Sequence, residues 1–335
     1  MGAFTARPWG TPMREHPVLS FVRSPLGRAL SAFAAILVLG CIFHKDGAFF
    51  DPSTHQGVLR EVAAPGILAC GMTVVILTGG IDLAVGSNLA LSAVVFALLT
   101  MPRGWGAAPA IAAVLAIGVA SGGAAGALVG AFRLQPFIVT LATMVFARGL
   151  AKHVADGKKV TTAFGGSSHP LPKIFSILDS RVIFDAVPVV TLIFLACVIA
   201  TLVVLSRLRF GRWVYAVGGN AEAARLAGVP VRRVLTIAYA TSGLFAAIAG
   251  ICQAAQETQG DPETGLGYEL DAIAMVVIGG TSLAGGRGGV GLTLLGTLTI
   301  GYLQKVLSIN AFSTEARLML TGAIIVGAAL FQRRR

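Results

Sequence analysis

The chain has 335 residues, of which 55% are hydrophobic and only 12% charged, and its mean hydropathy is +0.81. A soluble domain carries about 25% charged residues, so this supply argues against a cytosolic enzyme, and the apolar content excludes disorder. The net charge of +11 is spread between apolar runs instead of forming one basic face, which marks membrane orientation and not a nucleic-acid surface.

Residues 1–28 are polar, with Arg7, Arg14, Arg23, Arg28 and four prolines. They read as a cytoplasmic tail ahead of a single transmembrane domain, 29–335, with no clear cleavage site after the first apolar run. Apolar segments follow at 29–43, 58–78, 83–100, 107–131, 137–151, 187–205, 234–254, 271–284, 288–305 and 317–331. Such runs suit helices and not the short alternating strands of a membrane barrel. The expected fold is an all-α polytopic transmembrane helical bundle of about ten spans. The first, fifth, eighth and tenth segments are short against the about 20 residues of a straight span, which leaves eight spans as an alternative.

Alternating the segments from an inside start puts 15 of the 26 Lys and Arg on the inner side, against Glu15 and Glu222 there. This bias places both termini of a multi-pass protein in the cytoplasm. The outer loop 152–186 is long and carries Lys152, Lys158, Lys159, Lys173 and Arg181. Cys41, Cys70, Cys197 and Cys252 lie in apolar runs without paired spacing and read as small buried hydrophobes.

In the fourth segment Gly118, Gly122, Gly126 and Gly130 fall on one helix face. Close helix packing in lipid is one reading of this stripe, and a groove lining a pathway is the other. HExxH, GxSxG and Walker A patterns are absent, and His16, His44, His55, His153 and His169 have no metal-ligand spacing. No enzyme, metal site or cofactor is expected.

Two segments match each other 200 residues apart: Gly79-Gly80-Ile81-Asp82-Leu83-Ala84-Val85-Gly86 and Gly279-Gly280-Thr281-Ser282-Leu283-Ala284-Gly285-Gly286. Each follows an apolar run containing VVI. Paired Gly-interrupted segments in two halves point to a transport pathway, with Gly79, Gly80, Gly279 and Gly280 as the breaks. Tight cytoplasmic hairpins are the alternative, favoured for the second copy by Arg287. Asp82 is the only acid in the first hairpin. It either caps the helix expected to start at Leu83 or acts directly on substrate.

Residues 206–233 form a cytoplasmic loop. Within it Asn220 to Ala227 reads as a short helix, with Asn220 as N-cap and Gly228 as stop. It is too short to span and suits docking, or else it is an ordinary connection.

Four blocks, LTGGIDLAVGS (77–87), LQPFIVTLATM (134–144), YAVGGNAEAARLAGVPV (215–231) and VVIGGTSLAGGRGG (276–289), resemble the permease subunits of bacterial ABC importers of the ribose/arabinose/xylose/galactoside type. The resemblance runs from about residue 58 to the C-terminus. It implies a paired permease (two copies or two relatives), a cytoplasmic ATPase with two cassettes, a periplasmic sugar-binding protein, and no nucleic acid. Asn220, Glu222, Ala223, Ala224, Arg225, Gly228 and Val229 would then seat on the ATPase. The polar residues Thr78, Asp82, Ser87, Gln135, Thr140, Thr143 and Ser282 would lie along the substrate pathway. The implied cargo is a monosaccharide or small polyol, with a nucleoside or autoinducer as the alternative. An ion-coupled carrier would need paired intramembrane carboxylates, whereas Asp82 is alone and Glu61 and Asp271 lie near outer helix ends.

Overall fold

The computed structural model describes residues 24–162, 170–317, 319–320 and 322–323. Most of the expected tail, most of the tenth apolar segment, His16, His169 and the terminal arginines lie outside these residues.

The described elements are α1 (Pro25–Ile42), a 3-10 turn (Ala48–Phe50), α2 (Pro52–Glu61), α3 (Ala63–Leu77), α4 (Val85–Thr100), α5 (Ala107–Phe132), α6 (Pro136–Val154) and α7 (Lys173–Leu178). A short antiparallel hairpin follows, β1 (Arg181–Val182) and β2 (Val187–Pro188), with Val182 opposite Val187. Then come α8 (Val189–Arg207), α9 (Arg209–Gly219), α10 (Ala221–Leu226), α11 (Val231–Glu257), α12 (Tyr268–Gly279) and α13 (Val290–Ile309). Each of the first nine expected apolar segments contains helix. Among the described residues six helices are long and apolar enough to cross a membrane, and the bent pair α2–α3 makes a seventh.

The segment expected as one span at 58–78 is broken by a 44° bend between α2 and α3. Pro65 accounts for it. Its nitrogen has no proton for the Glu61 carbonyl, and its ring crowds that turn. The eighth segment, expected to run to residue 284, ends at Gly279, because Gly280 takes φ +103 at the C-cap.

Every residue of α3 is buried, as are nearly all of α4. A helix apolar all round is stable only when other helices or lipid enclose it. Here α11 runs along α3, α4 and α5, while α8, α12 and α13 close the far side of α3. Ile67, Met72, Leu89, Phe194, Phe245, Met275 and Ile300 meet in the resulting core. In contrast, α6 leaves Phe137, Ile138, Leu141, Val145 and Phe146 exposed, and α8 leaves Ile199, Leu202 and Val203 exposed. Faces this apolar are at home in hydrocarbon, so the chain is a multi-pass membrane protein.

The glycine stripe of α5 lies against the backbone of α11. A Cβ on Gly118 or Gly122 would collide with the Gly243 or Tyr239 carbonyl. One on Gly126 would stand 2.8 Å from Thr236 Cα. The stripe is a packing device and not a groove.

At the end of the bundle away from α9 and α10, residues 152–160 are tied to residues 260–264. Lys152 pairs with Glu263 at 2.6 Å, Lys159 with Asp261 at 2.9 Å, and Val160 bridges Gly260. Arg148 on α6 donates to the Pro262 and Thr264 carbonyls at 2.6 and 2.8 Å. The hydrogen bond that Lys159 donates to Asp261, and the negative charge there, raise the pKa of the Lys159 ammonium above its usual value.

Candidate functional site

Gly79, at φ +84, ends α3 in a left-handed turn that a side chain would strain. The chain then runs largely buried and without helical bonds until the Asn88 N–H meets the Ala84 carbonyl at 2.8 Å. The freed groups need partners in the protein. Asp82, only 2% exposed, supplies one of them and ties the break to α11. One carboxylate oxygen accepts from the Ala84 N–H at 3.0 Å and the other from the Ser242 hydroxyl at 2.7 Å. The Ile81 carbonyl accepts from Thr140 at 3.3 Å and from Tyr239 at 3.5 Å. The first break is thus held by one side chain from α6 and two from α11.

The expected cap at Asp82 needs correction. The helix starts at Val85, not at Leu83, and Asp82 bonds to Ala84 ahead of it. An Asx turn competes with helix over those residues and delays its start.

The second break uses the same turn. Ser282 accepts the Ala284 N–H at 3.3 Å, two residues on, as Asp82 does. Its other bonds are to backbone: Ser282 N–H to the Arg287 carbonyl at 2.9 Å, and the Tyr215 hydroxyl to the Gly288 carbonyl at 2.9 Å. Thr281, beside it, is buried and accepts from the Gly289 N–H at 3.2 Å.

The two breaks meet. The Gly286 N–H donates to the Leu77 carbonyl at 3.0 Å, joining the loop after α12 to the end of α3. Gly218 of α9 lies against both, since a Cβ there would collide with the Leu77 carbonyl and stand 2.6 Å from the Gly286 nitrogen. Helix α9 itself lies inside what the sequence reads as loop.

Helix α10 forms as the sequence predicts. The Asn220 side chain accepts from the Glu222 and Ala223 N–H groups at 3.0 and 2.9 Å. Gly228 follows at φ +82 with open space around it. Arg225 hydrogen-bonds Glu222, which holds that exposed carboxyl below its usual value. Ala224 is buried against Val217 and Val234, while Ala223 is exposed. The Val229 N–H returns to the Ala224 carbonyl at 2.9 Å. A cavity of about 370 Å³ joins this helix to the first break, with Thr78, Gly80, Arg133, Glu222, Arg225 and Arg232 on its walls.

Of the other expected pathway residues, Thr78 is buried and donates to the Val75 carbonyl at 2.7 Å. Ser87 is buried in the first turn of α4. Thr143 is half-buried and donates to the Val139 carbonyl at 2.9 Å. Gln135 precedes α6 on the surface, apart from this cluster. Tyr239 and Ser242 complete the first break, yet the sequence reading misses them. So does the bond from Ser121 to Asn88 at 2.8 Å beneath it. A hydroxyl beside Gly243 inside a long apolar run was the available signal for Ser242.

Apolar helices wrapped around a Gly-broken central hairpin, with a capped polar helix exposed at one end, define a polytopic membrane permease. Residues 56–329 match the family described as branched-chain amino acid transport system / permease component, and the chain belongs to that family. It is similar to the ribose import permease protein RbsC of Escherichia coli (strain K12), at 36% identity over 94% of this chain and 96% of the relative. It is 37% identical to the protein of the same name from Bacillus subtilis (strain 168), over 94% of each chain. The L-arabinose transport system permease protein AraH of Escherichia coli (strain K12) is 35% identical over 91% of this chain and 89% of its own length. No solved structure gives a significant match.

Proposed function

We propose that this chain is the transmembrane permease subunit of an ABC importer that carries a monosaccharide or small polyol across the bacterial inner membrane. The carrying observation is near full-length similarity to permeases named for ribose and L-arabinose. The chain itself is the transport subunit. ATP hydrolysis falls to a cytoplasmic ATPase with two cassettes, sugar delivery to a periplasmic binding protein, and the pathway to a pair of permeases.

Helix α10 is the seat for the ATPase. It is capped at both ends, and its exposed Glu222–Arg225 pair faces away from the buried Ala224. Arg207, Arg209, Arg212, Arg232 and Arg233 flank it. That charge supports a cytoplasmic position for α9 and α10, and cytoplasmic termini with it. Movement at α10 reaches the Asp82 break across the cavity between them and through Gly218. Thr78, Asp82, Ser87, Gln135, Thr140 and Thr143 are assigned to the pathway and its gate, and Ser282 to the surface turn of the second break. The clamped segments 152–160 and 260–264 face the binding protein at the other end.

Gly228→Trp tests the assignment. At φ +82 a side chain costs roughly 1 kcal/mol, and the open space around Gly228 spares the interior. The variant should insert normally but lose ATPase in pull-down and lose sugar-stimulated hydrolysis. Normal association with normal stimulation would place the coupling contact elsewhere. Uptake of labelled D-ribose, L-arabinose and D-fructose by cells holding the complete importer tests the cargo, and failure with all sugars would refute it.

A further inference from the structure

At the end of the bundle opposite α9 and α10 lies a second cavity, of about 290 Å³. That is near the lower end of small-molecule pockets, about 300–1,000 Å³. The α2–α3 bend brings Glu61 to it, α11 contributes Gln253 and Glu257, α12 contributes Tyr268 and Asp271, and α13 contributes Gln304. None of these belongs to the breaks or to α10.

The hydrogen bonds within this set separate committed groups from uncommitted ones. Glu61 takes the Lys305 ammonium at 3.0 Å. Glu257 accepts from Gln253 at 2.6 Å and from Thr264 at 3.0 Å. Arg60, on the wall, is held by Asp179 at 2.6 Å and by the Gln256 carbonyl at 2.9 Å. Both cations near the cavity are therefore engaged. The Asp271 carboxylate and the Gln304 amide form no hydrogen bond with another described residue, and both line the space.

We propose that this cavity is a weak binding subsite of the permease itself for a neutral polyhydroxylated solute. A hydroxyl both donates and accepts. It can donate to Asp271 while accepting from the Gln304 amide, so adjacent hydroxyls on one small ring satisfy both groups. A hard cation is a poorer match, because it seeks six or more oxygens, and Asp271 is the one carboxylate on this wall without a hydrogen-bond donor among the described residues. The subsite rests on the importer reading above and deepens it: the permease would test the sugar before the breaks open.

The test uses the full chain in lipid nanodiscs, with D-ribose and L-arabinose as probes in saturation-transfer NMR titrations. Saturable weak binding is expected. Asp271→Asn should weaken it about tenfold, the scale of one hydrogen bond to a charged group. Gln304→Ala should weaken it about threefold, within the range of a neutral hydrogen bond. Glu263→Gln, on the Lys152 pair outside the cavity, should change nothing. Thermal unfolding matched to the parent keeps misfolding from imitating the loss. No saturable transfer, or equal binding by parent and Asp271→Asn, would overturn the subsite. So would tighter binding of putrescine that Asp271→Asn abolishes, which would make the cavity an amine site. Uptake by the complete importer separates the two readings. Parental sugar uptake with an unchanged KM in Asp271→Asn removes the subsite alone, whereas no uptake of any sugar by the parent removes the importer reading.

Discussion

The two Gly-Gly breaks share a local turn and differ in everything around it. Asp82 and Ser282 each accept the N–H two residues on, at 3.0 and 3.3 Å. Around the first, side chains from α6 and α11 close in, and Asp82 is sealed from solvent. Around the second, Leu283 and Arg287 are exposed, and the loop is held mainly by its own backbone and by Tyr215. The first break needs one left-handed glycine, Gly79, whereas the second needs Gly280, Gly285, Gly286 and Gly288. An eight-residue motif therefore specifies a turn, while the helices packed on it decide whether its polar residue is part of a buried network or sits at a surface.

The largest difference between the breaks should appear on removing their polar residues. Asp82→Ala leaves the Ala84 N–H and the Ser242 hydroxyl buried without this partner, each costing about 1–3 kcal/mol. Uptake or assembly should fall at least about tenfold on that scale. Asp82→Asn retains an oxygen for Ala84, and the Ser242 hydroxyl can turn to accept from the amide, so part of both should survive. Wild-type membrane yield and uptake in the alanine variant would remove Asp82 from the mechanism.

Next in size is the contact that joins the breaks. Gly218→Ala drives a methyl into the Leu77 carbonyl and toward the Gly286 nitrogen, both backbone groups that cannot turn aside. Overpacking of this kind costs about 1–3 kcal/mol. The variant should separate the two breaks, read as faster hydrogen exchange at residues 77–80 and 285–287 together. Faster exchange at only one of them would show that the breaks move independently.

The sequence carried the helices well, because hydrophobic runs and breakers are local signals. Helix α10 was legible to its caps, since Asn220 and Gly228 act on their own neighbours. Helix α9 was not: eleven residues with Arg209 and Arg212 resemble a charged loop unless the buried face, Gly211, Val214 and Val217, is recognised. The α2–α3 bend was missed because hydropathy runs unbroken through Pro65. In the candidate site Asp82 stood out as a lone carboxylate in an apolar stretch. Tyr239 and Ser242 did not, because their partner lies about 160 residues away in sequence and nothing in the spacing announces it. The same holds for Thr140, which entered only through a resemblance covering its block, and for Gln135, which entered the same way and lies on the surface.

A smaller effect is expected where the first break has two donors for one acceptor. Thr140→Val keeps the shape of the side chain and deletes the 3.3 Å bond to the Ile81 carbonyl. Tyr239 still points at that oxygen, so the loss should be near the low end of about 0.5–1.5 kcal/mol. The paired change with Tyr239→Phe should cost more than the sum of the two single changes, because only then is the carbonyl left without a side-chain donor. Additive unfolding shifts would mean that one of the two contacts contributes nothing.

The smallest effect should come from Ser282→Ala, although Ser282 occupies the position that matches Asp82. Its hydroxyl makes one 3.3 Å bond, to an N–H in a half-exposed turn that water can satisfy instead. The Ser282 N–H keeps its bond to the Arg287 carbonyl, and Thr281 keeps its own to Gly289, so the frame of the loop is untouched. Surface changes of this kind stay within about 0.5 kcal/mol, and both thermal unfolding and uptake should match the parent. Placing a carboxylate there is the sharper experiment. Ser282→Asp recreates the GG-x-D sequence in the second break but not its surroundings: no hydroxyl from α11 faces it, and solvent reaches it. If burial and not motif makes Asp82 important, Ser282→Asp should also leave uptake unchanged, and it should not rescue Asp82→Ala when the two are combined. Rescue by Ser282→Asp would show that the two breaks are interchangeable, and that their different surroundings are incidental to transport.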